Sequence, residues 1–414
     1  PFGEAVHFGK AIADLANDAA VLPAVRFSDV TADWGLDFVH ASGAEGGKYL
    51  PETMGGGAAF FDCDGDGDQD LFLVSSAAGG VGALYRNEGG RFADASAATG
   101  IAPDARIAYG MGVAAGDYDD DGQVDLLLTG VGGNRLLRNR GGGAFEDATA
   151  AAGVGAAGDQ WTTAAGFFDF DRDGDLDLFV GHYVKWSRAI DERLAFTLNG
   201  TDRAYGPPTN YEGQFSTLYR NEGDGTFADV SAAAGIQVAN PATGAPMGKC
   251  LGLCFADYDG NGFEDVFVAN DTVQNHLFLN RGDGTFEERG RESGAGFDGN
   301  GRATGAMGID LADFRGDGGL GVGIANFANE MTSFYVKGHA AGPLAHGTGG
   351  IHPPRRGGAP VPAPRPGPGG GAGRGGPPPP PAAPPPPPAP PPPAPRPPPR
   401  PPPRPPPPPA PGGL

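Results

Sequence analysis

Aspartate is packed at alternate positions in four short stretches: "DCDGDGDQD" (62–70), "DYDDDGQVD" (117–125), "DFDRDGDLD" (169–177) and "DYDGNGFED" (257–265). Taking the first Asp as position 1, oxygen-bearing side chains fall at positions 1, 3, 5 and 9, with Gly at 6. The sets are Asp62, Asp64, Asp66 and Asp70; Asp117, Asp119, Asp121 and Asp125; Asp169, Asp171, Asp173 and Asp177; and Asp257, Asp259, Asn261 and Asp265. Position 7, held by Asp68, Gln123, Asp175 and Phe263, offers a backbone carbonyl. Two unit charges ~4 Å apart repel by roughly 4 kcal/mol at an effective dielectric near 20. A dication between them turns that repulsion into attraction, and Ca²⁺ takes six to eight oxygens of this mixed kind. The spacing resembles the first half of an EF-hand loop, but it closes with Asp at 9 instead of Glu at 12 and feeds a strand. About four Ca²⁺ ions are expected, one per loop. A solvated acidic turn is the alternative for any single loop, and four copies in one register argue against it. In a fifth copy, "DFRGDGGLG" (313–321), Arg315 replaces position 3 and Gly321 position 9, leaving Asp313 and Asp317 and an expectation of weak binding or none.

The elements that position these loops repeat with them. First positions at 62, 117, 169, 257 and 313 step by 55, 52, 88 and 56 residues, the mark of a repeat architecture. Small and apolar residues precede each loop, and an apolar strand follows it. Then comes a pair of strands around a turn: "ALYRNEGGRFADAS", "RLLRNRGGGAFEDAT", "TLYRNEGDGTFADVS" and "HLFLNRGDGTFEERG". Asn and Gly there are read as suppliers of the positive φ angles of tight turns. No stretch keeps a helical period, though "ADASAATGI" and "ADVSAAAGI" can each form one turn. The pattern predicts an all-β chain, a propeller of four-stranded blades with loops as the first turns. Repeats start near 26, 102, 155, 237 and 297, giving a propeller over 26–337 after an N-terminal extension (1–25). The third repeat carries about 30 extra residues (182–212), too few for another blade.

From 338 the alphabet changes to Gly, Pro, Ala and Arg, and 34 of the 43 prolines lie in 351–414. Polyproline runs favour an extended helix and build no core, so a disordered tail is expected. It reads as the product of a shifted reading frame, with an SH3/WW-type ligand as the alternative. The net charge of −21 mixes unlike parts. The last 64 residues hold 7 arginines and no acid, leaving 22 basic against 50 acidic side chains before them. So acidic a body argues against nucleic acid or an anionic membrane as partner, and no apolar run is long enough to span a bilayer. Cys250 and Cys254 would lie ~13 Å apart on one strand, too far for a disulfide, and Cys63 takes a slot otherwise aromatic. The chain starts at Pro1 without a signal-type apolar core, so any export signal is expected to have been removed or to lie outside the given sequence.

Three stretches carry a resemblance: "KYLPETMGGGAAFFDCDGDGDQDLFLV", "HYVKWS…RAYGPP" and "VANDTVQNHLFLNRGDGTFEE". They are similar to the cartilage acidic protein family, or ASPIC/UnbV type, built from FG-GAP/VCBS-like repeats. The resemblance covers about 26–336. It implies an integrin-α-like, calcium-bound β-propeller, secreted or extracytoplasmic, without established catalytic activity. It also implies seven blades and a following ASPIC/UnbV segment. Only five repeat starts are found here, and that segment is not.

Other signals weigh less. "RGD" at 281–283 and 315–317 lies in turn and loop contexts that explain it. "NGT" (199–201) and "NDT" (270–272) are glycosylation sequons whose meaning depends on the host. The histidines lack zinc spacing, and no nucleophile elbow or Walker loop is present. The function expected is a calcium-stabilised extracellular scaffold binding protein or glycan. A secreted polysaccharide lyase or hydrolase is the alternative, and the third-repeat insertion, with Tyr183, Lys185, Arg188, Asp191 and Glu192, is the one charged cluster that could host it. Five repeats in a seven-blade geometry would leave an open arc, so self-association through its ends is expected.

Overall fold

The computed structural model describes residues 2–3, 26–76, 82–101, 107–155, 159–313 and 319–337. The chain folds as a five-bladed all-β propeller of four-stranded antiparallel sheets. Blade one is β2 (Ala58–Phe61), β3 (Asp70–Val74), β4 (Gly82–Asn87) and β5 (Phe92–Asp94). Blade two is β6 (Gly110–Gly116), β7 (Asp125–Gly130), β8 (Gly133–Asn139) and β9 (Phe145–Asp147). Blade three is β10 (Thr162–Phe168), β11 (Asp177–His182), β14 (Thr217–Asn221) and β15 (Phe227–Asp229). Blade four is β16 (Cys250–Ala256), β17 (Asp265–Asn270), β18 (His276–Asn280) and β19 (Phe286–Glu288). Blade five is β20 (Ala306–Ala312), β21 (Gly321–Asn326) and β22 (Ser333–Lys337), and its fourth strand is β1 (Phe2–Gly3), paired antiparallel with β22. The first residues of the chain therefore complete the last blade. The tail from 338, and the fifth loop at Arg315 and Asp317, lie outside the described residues.

In blades two to four the second strand is apolar at consecutive positions because both of its faces are buried. Leu126 and Leu128 pack toward blade one and Leu127 toward blade three. Leu178 and Val180 pack toward blade two and Phe179 toward blade four. Val266 and Val268 face blade three and Phe267 faces blade five. The two residues immediately before an acidic loop divide in the same way. Ala115, Phe167, Phe255 and Leu311 each pack toward the preceding blade. Phe60, their counterpart in blade one, is 64% exposed. Hydrophobic clusters join each consecutive pair of blades, and among the described residues none joins the fifth to the first.

A second link between blades is polar. The Asn that ends the third strand points its amide across the interface. Asn139 Nδ2 donates to the Cys63 carbonyl at 2.8 Å, Asn221 to that of Tyr118 at 2.7 Å, and Asn280 to that of Phe170 at 2.7 Å. Each also donates to the carbonyl just before its own position-9 Asp. Asn87, with no blade before it, donates only to Gln69 O at 3.2 Å. This corrects the turn reading of these asparagines: the glycines after them, such as Gly223 and Gly282, hold the positive φ.

The insertion in blade three is not a plain loop. It forms the helix Arg188–Leu194 and the ribbon of β12 (Thr197–Leu198) and β13 (Asp202–Arg203). Trp186, Tyr183 and Tyr211 pack with Tyr49, Met111 and Trp161 in one buried cluster. Met111 and Trp161 sit at or beside the starts of the inner strands β6 and β10, whose far ends feed the acidic loops. The insertion thus caps the end of the propeller opposite those loops. A cavity of about 740 Å³ runs between the five inner strands, each contributing a stretch to its lining (54–58, 111–113, 163–165, 251–253 and 307–309).

Candidate metal centres

Each acidic loop is held open by its own backbone. Position-6 glycines Gly67, Gly122, Gly174 and Gly262 all adopt φ between +90 ± about 10°, with values of 90, 83, 100 and 94°, a conformation that costs an L side chain energy. The turn lets the position-1 carboxylate collect N–H groups inside the loop. Asp62 accepts from Gly65, Asp66 and Gly67 at 2.8–3.2 Å, and Asp257 accepts from Gly260, Asn261 and Gly262 at 2.7–3.1 Å. Asp117 and Asp169 accept from Gly122 and Gly174. The position-5 side chains Asp66, Asp121, Asp173 and Asn261 accept the N–H of position 7 (Asp68, Gln123, Asp175 and Phe263) at 2.8–3.0 Å. These bonds hold the loops in one shape.

Positions 1 and 3 converge in all four loops. Carboxylate oxygens of Asp117, Asp119 and Asp125, of Asp169, Asp171 and Asp177, and of Asp257, Asp259 and Asp265 lie within 4.8 Å of one another. In the first loop the close set is Asp62, Asp64 and Asp66, with position 5 in place of position 9. Position 5 of the other loops is outside these sets. Buried oxygens without a hydrogen-bond partner cluster here: Oδ1 of Asp64, Asp119, Asp169 and Asp171. Buried polar atoms are nearly always paired, so these oxygens fit a cation. Burial, reinforced by neighbouring carboxylates, pushes the pKa of Asp64, Asp119 and Asp171 up. The four loops can hold metal ions, with positions 1 and 3 as the shared donors.

Position 9 has a second task that spacing did not reveal. Asp70, Asp125, Asp177 and Asp265 are at most 1% exposed. One oxygen of each accepts the position-2 N–H (Cys63, Tyr118, Phe170 or Tyr258) at 2.7–3.1 Å. The other accepts the N–H of the blade's third-strand Asn at 2.6–2.9 Å. Burial raises Asp125 and Asp177 to about 7 and Asp265 to about 6, against the opposing pull of those N–H bonds. The only sequence signal for this role was the fixed "RN" or "LN" that each repeat places at one register.

The insertion's charged residues are taken up by partners inside and outside the insertion. Asp191 is fully buried, and its Oδ2 accepts from Trp186 Nε1 at 2.9 Å, Tyr211 OH at 2.9 Å and Leu50 N at 3.3 Å. Its Oδ1 pairs with Arg203. Glu192 accepts from Tyr49 OH at 2.8 Å and Arg188 Nε at 3.1 Å, Lys185 pairs with Asp159 at 3.4 Å, and Tyr183 OH donates to Asp271 at 2.5 Å. Sequence spacing placed these five residues together, but not the partners from the 47–52 segment or Arg203. Burial pushes the thiols of Cys63 and Cys250 up to about 12, and all three cysteines are free. In the first RGD, Arg281 pairs with Glu287 at 2.9 Å and Asp283 caps Thr285, as turn chemistry requires. Of the sequons, Asn270 is fully buried and Asn199 exposed. No helix among the described residues is long and apolar enough to cross a membrane.

Fold and loops define a class: a β-propeller with FG-GAP-like repeats. The family model described as FG-GAP-like repeat matches residues 62–128, 117–180 and 257–320. No curated protein matches the chain. Among solved structures, the chain is similar to a lectin of Agrocybe aegerita that recognises non-reducing terminal N-acetylglucosamine, at 21% identity over 67% of this chain and 62% of that one, with a TM-score of 0.36. It is similar to the biofilm matrix protein Bap1 of V. cholerae at 12% identity, over 69% and 63%, with a TM-score of 0.30. A sialidase of Trypanosoma rangeli, solved with the inhibitor DANA, matches at 10% identity over 66% and 40%, with a TM-score of 0.35. The chain spans less than two thirds of each of these. Likeness of this degree says nothing about ligand or reaction.

Proposed function

We propose that this protein is a non-catalytic, calcium-stabilised repeat scaffold that works outside the cytoplasm and binds a protein or glycan. The observation that carries the reading is the set of four convergent carboxylate groups, three of them with buried, unpartnered oxygens. An all-oxygen donor set with a flexible count suits Ca²⁺, a hard cation, over Zn²⁺, which prefers nitrogen and sulfur. When bound, the ion supplies cohesion: it cancels the repulsion among positions 1 and 3 and ties loop to strand. Positions 1 and 3 would supply carboxylate oxygens, and position 9 would do so while keeping its two N–H donors. The assignment to the ASPIC/UnbV type within FG-GAP-like proteins belongs to this reading.

The non-catalytic half is supported by the insertion. A general acid or base must have a proton site facing substrate, whereas Asp191 is fully buried with four donors on its two oxygens. Calorimetric titration of chelator-stripped protein tests the metal reading: about four Ca²⁺ per chain are expected, and a stoichiometry of zero or one would sink it. A depolymerisation screen on acidic polysaccharides, run with Ca²⁺ present, tests the rest. Turnover of any of them, lost in a Glu192→Gln variant that still folds, would replace the scaffold by an enzyme.

A further inference from the structure

The four loops are not equivalent, and the difference comes from the residue just before the third-strand Asn. That residue is Arg86 in blade one, Arg138 in blade two, Arg220 in blade three and Leu279 in blade four. Arg138 Nε lies 2.6 Å from Asp119 Oδ2, and its Nη2 donates to Asp121 Oδ2 at 3.0 Å. Arg86 Nε lies 3.4 Å from Asp64 Oδ2. Both guanidinium groups thus sit against the position-3 carboxylate that a cation would use. Neither fits well: Nε of both arginines and Oδ1 of both aspartates are buried without a hydrogen-bond partner. Arg220 is turned away, with Nε and Nη2 on Glu222 Oε1 at 3.0 and 2.6 Å. Leu279 brings no charge at all.

On the reading that these loops hold Ca²⁺, we propose that Arg138 and Arg86 are resident counter-ions that make the first two loops the weak, last-filled sites. A dication entering loop one or two must displace a guanidinium from Asp64 or Asp119, or share the carboxylate with it at close like-charge range. Loop three keeps four aspartates with Arg220 on Glu222 and its own Arg172 over the Phe263 ring at 4.9 Å, and loop four has no Arg of its own. Loops three and four load first, and occupancy of loops one and two follows the calcium concentration around the protein. Specificity among identical motifs is thereby set from a neighbouring strand, outside the motif.

Calorimetric titration of the stripped full chain with Ca²⁺ tests this. Wild type is expected to show two classes, about two tight sites and two weak ones. Replacing both guanidiniums (Arg86→Gln with Arg138→Gln) removes the competing charge while keeping a polar side chain, and the weak class should tighten by about tenfold or more. Glu222→Gln works in the opposite sense at an exposed position: it frees Arg220 to reach Asp171 and should weaken one tight site by a similar factor. Four sites of one affinity in wild type, or a weak class unmoved by the double substitution, would overturn the proposal and leave the calcium reading standing. No calcium uptake by wild type would bring down both.

Discussion

At the residue scale, one motif contains two kinds of aspartate. Asp171 has a buried oxygen without a hydrogen-bond partner, whereas Asp177 is buried and holds two N–H groups, one from the loop and one from the third strand. Asp171→Ala should remove mainly the calcium-dependent part of the stability, which follows RT ln(1 + [L]/Kd) and amounts to about 2.7 kcal/mol per site at 100-fold saturation. Asp177→Ala should cost about 2–4 kcal/mol even in chelator, because it strands two buried donors. Denaturant melts with and without calcium separate the two, and equal losses in chelator would refute the division of labour. Two histidines add an acid-sensitive part to the stability, opposite in sign to that of the raised position-9 carboxyls. His182 and His276 are buried, and burial lowers both to about 4, while the unfolded chain titrates near 6.5. As pH falls from about 6.5 to 4, the unfolded state takes up protons that the folded state refuses. The contribution of each histidine should therefore drop by roughly 1.4 kcal/mol per pH unit, then level off. In a His182→Gln variant the slope between pH 6 and 4.5 should be shallower than in wild type, and an unchanged slope would show that this ring is not held neutral.

At the scale of elements, the blades are held by matching apolar faces and, at the first three interfaces, by one Asn amide each. Asn221→Ala removes both donations of its Nδ2 and unpairs the Tyr118 and Leu176 carbonyls, at a cost of about 2–3 kcal/mol. Asn87→Ala should cost less, since its amide reaches only Gln69 within its own blade. Comparison of the two variants by urea melts isolates the cross-blade bond, and equal effects would deny it. The apolar run after each loop was legible as a strand, and its double-sided burial explains why it does not alternate. What could not be read was which of its residues faces which neighbour. That depends on the order of the blades around the axis, and nothing local to "DLLLTG" or "DVFVAN" contains it.

For the whole molecule, the insertion decides how one end of the propeller is closed. Asp191 gathers donors from its own helix neighbourhood, from Arg203 on the ribbon, from Tyr211 and from Leu50 ahead of blade one. Removing one member of a buried, paired charge leaves its partner uncompensated. Asp191→Ala should thus lower stability by about 3–5 kcal/mol and open the 182–212 segment to proteolysis, with the four calcium sites still filling. Limited digestion followed by mass analysis would show the cut, and a resistant cap would remove Asp191 from its central place.

The repeat and the four acidic loops were legible in the chain's own alphabet. Each depends on spacing along one strand or one turn, where geometry follows from the order of residues. The roles of the "RN" pairs, of the position-9 aspartates and of the Asp191 cap were settled only by the tertiary structure. Their partners lie 44 residues away for Asp177 and Asn221, 103 for Asn221 and Tyr118, and 141 for Asp191 and Leu50. The pairing of the first strand with the last blade is of the same kind. A hydrogen bond needs its partner within about 3 Å, and which distant residue arrives there is decided by how blades stack around an axis.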